Sequence, residues 1–142
     1  MNPVVMKGKG LVAGAIRGEA LVSRMAFTFA HGVNPSTGTV TDVRSDVRGK
    51  NVRGRVLFYP FGKGSTTASS WFLETVRLGN NPSAIVTEWV DLSAVIGSVM
   101  ARVMYAKEIP VIAGIPRSAS AAVKSGEMVA LDAVSGEVRA EH

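Results

Sequence analysis

Seven consecutive residues, Phe61-Gly62-Lys63-Gly64-Ser65-Thr66-Thr67, are the stretch of this sequence best equipped for chemistry. Glycines on either side of Lys63 let the backbone come close to a ligand. The hydroxyls of Ser65, Thr66 and Thr67 can donate or accept hydrogen bonds without bringing a fixed charge. If a helix begins here, its first N–H groups and its dipole favour an anion. By itself the pattern is unspecific, because Gly-x-Gly-Ser also suits a turn that leads into an N-capped helix. It is not a P-loop, since Lys63 precedes the second glycine and the four-residue spacer between glycines is missing. The spaced glycine fingerprint of dinucleotide folds is missing as well.

Few other residues compete with this loop. His31 and Asn34 flank a turn and could line the same site, although a histidine beside such a turn is more often structural. The second histidine, His142, is the last residue, and two histidines so far apart without Cys make no metal-ligand pattern. Glu88 and Asp91 could face the cleft, but carboxylates just before a helix commonly partner its dipole. Trp71 and Trp89 are expected as core or interface anchors. Met100 and Met104, four apart, are expected to form a packing stripe.

The elements around the loop place it. Val56-Leu57-Phe58-Tyr59 is an apolar strand closed by Pro60, which cannot donate to a ladder. Thr67 to Leu78 puts Ala68, Trp71, Phe72, Thr75 and Val76 on one helical face, with Thr66 or Thr67 as N-cap and Gly79 as stop. Ala84 to Thr87 is a second buried strand, Ser93 to Met104 a second helix, and Ile109 to Ile112 a third strand. Two strand–helix–strand crossings in succession imply parallel strands. The loop then lies at a strand's carboxyl end and a helix's amino end, the edge where open α/β sheets bind ligands.

Both ends of the chain are different in character. Val4 to Met6, Gly10 to Gly14 and Glu19 to Val22 fit short strands, with turns or bulges at residues 7–10 and 14–18. Val123 to Val138 is again β, with turns at Ser125-Gly126 and Ser135-Gly136. Between Phe27 and Asn51 the pattern is irregular, apart from a turn at Asn34-Pro35-Ser36-Thr37-Gly38. Loops of that length are more often functional or interfacial than idle. A β-rich start and end around an α/β centre predicts a three-layer β/β/α domain.

Composition narrows the function class. The chain has 142 residues, 46% of them hydrophobic, which suits one core rather than two. There is no Cys, so disulfides, thiolate nucleophiles and cysteine-ligated iron–sulfur clusters are absent from this chain. Apolar stretches are interrupted well before the ~20 residues of a membrane span. Met1 to Gly10 lacks the pattern of a signal peptide, and a cytoplasmic location is expected. Net charge is +5. Arg44, Arg48, Lys50, Arg53 and Arg55 are interleaved with acidic residues and glycines, and stacking aromatics are few, so nucleic acid is not the expected partner. Either a solvated basic face or a surface that meets an acidic partner or anionic substrate accounts for the charge.

The loop resembles the Gly-x-Gly-Ser-Ser-Arg loop of aconitase-type swivelling domains, and the chain is most similar to the small subunit, or swivel domain, of the aconitase X family. The resemblance is carried in order by Phe29 to Gly38, Pro60 through Ser70, Pro82 to Val86, and Ala106 to Ile112 with its Ile109-Pro110. It implies that residues 1–142 form one swivelling β/β/α domain, as in the aconitase C-terminal domain. It also implies a hydro-lyase assembled with a large subunit, as a heterodimer or higher heteromer. Ser65 would be the base that abstracts a proton, and Gly62, Lys63, Gly64, Thr66, Thr67, His31 and Asn34 would surround the substrate. An iron–sulfur cluster is expected on the large subunit, with no cofactor or metal bound by this chain.

A serine hydroxyl is a poor base unless positive charge and N–H donors stabilise its alkoxide. Amides of Gly64, Thr66 and Thr67 could supply part of that, and Lys63 or partner residues the charge. Thr67 replaces the aconitase arginine and cannot clamp a carboxylate bidentately, which argues against citrate. His31 and Asn34 also stand where the family segment often has an aromatic or Gly and an Asp. The resemblance implies cis-3-hydroxy-L-proline or a related small hydroxy acid as substrate, with mevalonate 5-phosphate as the alternative. The C-terminal tail is also similar to phosphohistidine swivel domains, but no His lies between Gly32 and Glu141. A non-catalytic or phosphohistidine-type binding module is the rival from another class.

Overall fold

Val56 to Tyr59 forms β4, and all four side chains are buried although the strand has two faces. Leu57 and Tyr59 point into one apolar cluster, Val56 and Phe58 into another. A strand covered on both sides is a continuous apolar run rather than an alternating one, as the sequence has it. The computed structural model describes residues 3–141, so His142 lies outside the description.

From β4 the chain runs through helix α1 (Thr67–Arg77), strand β5 (Ala84–Thr87), helix α2 (Leu92–Tyr105) and strand β6 (Val111–Ala113). The expected parallel pairing is found, Val56 opposite Ala84 and Ile85 opposite Val111. Pro110 stays outside β6, so the third strand starts two residues later than expected. A single turn, α3 (Arg117–Ser120), was not foreseen. It has no period long enough to read.

Antiparallel strands build the other half. β1 (Val4–Lys7), β2 (Lys9–Val12), β3 (Ala15–Val22), β7 (Met128–Asp132) and β8 (Glu137–Glu141) complete a sheet of order β1-β8-β7-β3-β4-β5-β6-β2. The two ends of that order are consecutive in the chain, with only Gly8 between them, so the ribbon bends back on itself. A register shift between Gly10 and Val12 supplies the expected bulge. The turn expected over residues 14–18 is instead the start of β3. Its first half pairs antiparallel with β7, and its end pairs parallel with β4. Only Gly14 turns, at φ 147.

The curled sheet encloses one core, which gathers Met6, Val22, Phe58, Val86, Val129 and Val138. The second core lies between the parallel half and the helices, with Leu57 and Ile85 against Phe72 and Val76. The long 27–51 segment is irregular, as expected, yet it sends Phe27, Phe29, Val33, Val40 and Val47 into this core. At its turn Gly38, at φ 81, donates its N–H to the Asn34 carbonyl at 2.7 Å. The result is the expected β/β/α arrangement in one domain.

One expectation about side chains needs correction: Met100 and Met104 are 40% and 52% exposed rather than packed. Of the two tryptophans expected in the core or at an interface, Trp71 is packed against the helical core and Trp89 is 70% exposed. Among the described residues no helix is long and apolar enough to cross a membrane.

Candidate active site

The loop after β4 is fixed at both ends. At its start Phe27 and Gly62 form a parallel bridge, in which Phe27 N–H donates to the Phe61 carbonyl and Lys63 N–H to the Phe27 carbonyl, each at 3.0 Å. At its end Ala68 N–H donates to the Ser65 carbonyl at 2.9 Å, the first turn of α1. Thr66, in the N-cap position, already has helical dihedrals and makes no side-chain cap. Thr67 does not cap either: its Oγ1 lies 2.8 Å from Ser65 Oγ, a hydroxyl pair at the helix's positive end.

Both loop glycines have a reason besides ligand access. A Cβ at Gly62 would stand 2.5 Å from the Asp91 carboxylate, and one at Gly64 would stand 2.5 Å from Ala68 Cβ and 2.6 Å from Thr28 Oγ1. Neither has positive φ. They are places where the backbone is pressed against its own neighbours.

Asp91 is the residue the sequence undervalued. It caps α2 as expected, accepting from Ser93 N–H at 3.1 Å and Ser93 Oγ at 2.7 Å through Oδ1. Its other oxygen accepts the Tyr59 hydroxyl at 2.6 Å. Burial, reinforced by the Asp91 charge and hydrogen bond, pushes the Tyr59 phenol well above its usual range, so it stays a donor. One carboxylate thereby ties the end of β4, the start of α2 and the loop at Gly62. A tyrosine ending an apolar strand, with an aspartate before the next helix, was the available signal.

Between loop and helix opens a groove of about 310 Å³. Phe61, Gly62, Gly64, Ser65, Thr66 and Ser69 line one wall; Val90, Asp91, Leu92, Ser93 and Ile96 line the other. The expected site residues separate around it. Thr67 reaches it only through Ser65. Lys63 turns to Asp42, Nζ to Oδ2 at 2.6 Å. That hydrogen bond, with the Arg44 N–H on the other oxygen, holds the Asp42 carboxyl below the usual aspartate range.

His31 and Asn34 are not among the groove residues. His31 is exposed, sits in the left-handed region at φ 58 and lays its ring 4.4 Å from that of Trp71. Asn34 Oδ1 accepts the Ser36 N–H at 2.9 Å and closes its own turn. Among the described residues no three His, Cys, Asp or Glu side chains come together to hold a metal ion. With no Cys in the sequence, this chain does not fit an iron–sulfur cluster.

A curled sheet backed by two helices, with a glycine–hydroxyl loop between its central strand and first helix, defines a swivel-type β/β/α domain with an open groove beside that loop. The chain belongs to the aconitase X swivel domain family, whose sequence profile matches residues 5–140. The phosphomevalonate dehydratase small subunit of Thermococcus sibiricus is 38% identical over 136 residues, 96% of this chain and 98% of that protein. Its counterpart in Pyrococcus furiosus is also 38% identical, over 94% of this chain and 92% of its own length. The crystal structure of Thermococcus kodakaraensis aconitase X in its holo-form superposes with a TM-score of 0.87 at 35% identity. That match covers 97% of this chain and 98% of that one.

Proposed function

We propose that this chain is the small subunit of an aconitase X-type hydro-lyase that dehydrates mevalonate 5-phosphate, with Ser65 as the base. The observation that carries the base assignment is the position of Ser65 on the groove wall at the start of α1, with Thr67 Oγ1 hydrogen-bonded to its Oγ. The relatives' names favour the phosphorylated substrate over cis-3-hydroxy-L-proline, and the net charge of +5 suits an anion.

In the reaction Ser65 Oγ takes the proton on the carbon next to the substrate carboxylate. The released electron pair forms the new double bond, and the hydroxyl on the adjacent carbon leaves. Negative charge on Ser65 is eased by the helix start and the Thr67 hydroxyl. Lys63 is neutralised by Asp42 and does not aim at Oγ, so it adds no net charge beside the base. We assign the departing hydroxyl to the large subunit's side of the site; among the described residues of this chain no three His, Cys, Asp or Glu groups come together to hold a metal ion.

The test is turnover of the reconstituted two-chain enzyme. Ser65→Ala is expected to lower kcat by about 10²–10⁴-fold, the usual contribution of a positioned base, while far-UV circular dichroism stays unchanged. Full turnover by Ser65→Ala would remove Ser65 as the base. Dehydration of cis-3-hydroxy-L-proline but not of mevalonate 5-phosphate would overturn the substrate assignment alone.

A further inference from the structure

Helix α2 is amphipathic the wrong way round. Its buried side consists of small residues, Ala94, Gly97, Ser98 and Ala101, where α2 closes on α1; a Cβ on Gly97 would already lie 3.2 Å from the Phe72 ring. Val95 and Tyr105 pack partly against the core, but its other large apolar residues face out. Leu92, Ile96, Val99 and Val103 recur at helical spacing and are 65%, 45%, 46% and 75% exposed. Arg102 is the single charged residue among the exposed positions of α2, and it is drawn aside to Glu108 at 2.9 Å. A helix whose outer face met only water would carry its charges there.

The surface does not stop at the helix. Of the fourteen large apolar side chains exposed among the described residues, nine belong to α2, to Trp89 and Val90 just before its cap, or to Phe61 across the groove. Phe61, Val90, Leu92 and Ile96 are also walls of the groove that holds Ser65. One apolar strip therefore starts at the mouth of the site and follows α2 for roughly 16 Å at ~1.5 Å per residue. Trp and Met, which the strip exposes at Trp89, Met100 and Met104, are enriched at protein interfaces.

Building on the two-chain function proposed above, we propose that this strip is the docking surface for the large subunit, with the α2 face as its apolar centre. The groove fixes the occupant. Both walls of the groove belong to this chain, but its mouth is open along Val90, Leu92 and Ile96. Among the described residues no cluster could hold a metal ion, so a chain that completes the site must cross that mouth. It then lies on the rest of the strip.

The experiment titrates the full chain against its large subunit by isothermal titration calorimetry. The double variant Val99→Asp/Val103→Asp lies beyond the groove and is expected to weaken binding at least 30-fold. Its circular dichroism and Tm should be unchanged, and kcat should recover at saturating large subunit. Val103→Lys is expected to weaken binding as well, which separates lost apolar contact from charge of one sign. Val134→Asp, at a site 81% exposed elsewhere on the surface, is expected to bind as the natural chain does.

Natural affinity in the double variant would overturn the docking surface and leave the proposed function standing. A natural chain that does not bind the large subunit at all would overturn both. If sedimentation shows a dimer of this chain that the double variant splits, while affinity for the large subunit is unchanged, the strip is a self-interface and the proposal fails.

Discussion

Asp91 caps the first turn of α2, accepts the hydroxyl of Tyr59 from 32 residues upstream, and lies close against the backbone at Gly62. Removing it should cost more than a helix cap. Asp91→Ala loses the cap, about 1 kcal/mol, and strands a buried phenol, about 1–3 kcal/mol; urea unfolding should show the sum. Asp91→Asn keeps an acceptor and should lose less. Gly62→Ala is expected to lower both stability and turnover, because its Cβ would meet a carboxylate that is bonded in place. The Lys63–Asp42 contact gives a pH dependence. Because the folded-state pKa of Asp42 is lowered, its contribution is full above the ordinary aspartate range and is lost as pH falls through and below it. Acid titration of Lys63→Met should show a smaller fall in stability over that window than the natural chain. Much of the loop's chemistry was legible from residue types alone, including the hydroxyl run and a carboxylate at the start of α2. What Lys63 and His31 touch was not, because Asp42 and Trp71 meet them only through the folded path of the 27–51 segment; Asn34 instead closes the local turn that its own neighbours announce.

At the scale of elements, the sequence showed β4, α1, β5 and α2 to within a residue or two. Each has a local signature: a continuous apolar run for a doubly covered strand, a 3.6-residue period for a helix. β3 was read short because its halves obey different partners. Arg17 and Glu19 alternate outward while the strand pairs with β7, and burial becomes continuous where β4 takes over. No local window records that change of partner. Nor could periodicity tell which side of α2 meets the core, since small residues turned out to be the inner set. The C-terminal end of α2 carries a correctable strain. Ala106 closes it in the left-handed region at φ 52 and is exposed, where an L-residue with a Cβ is disfavoured. Ala106→Gly is expected to stabilise the chain by about 0.5–1 kcal/mol, read as a rise in Tm with unchanged turnover.

For the molecule as a whole, the arrangement that matters is the sheet that returns to its own beginning. β1 pairs with β8, Val4 opposite Ala140, and β3 pairs with β7. These pairings span nearly the full chain, so the transition to the native state must close very large loops before apolar burial offsets them. Refolding of the isolated chain, followed by tryptophan fluorescence, is expected in the millisecond-to-second range rather than in microseconds. Deleting residues 135–142 should abolish cooperative unfolding, since β1 loses the strand it pairs with and β7 loses one of its two. There is a further consequence during synthesis. β1 leaves the ribosome long before β8 has been made, so the first strand waits for its partner through almost the whole of synthesis. The groove and the α2 strip come from the middle of the chain and can take shape while that strand is still unpaired.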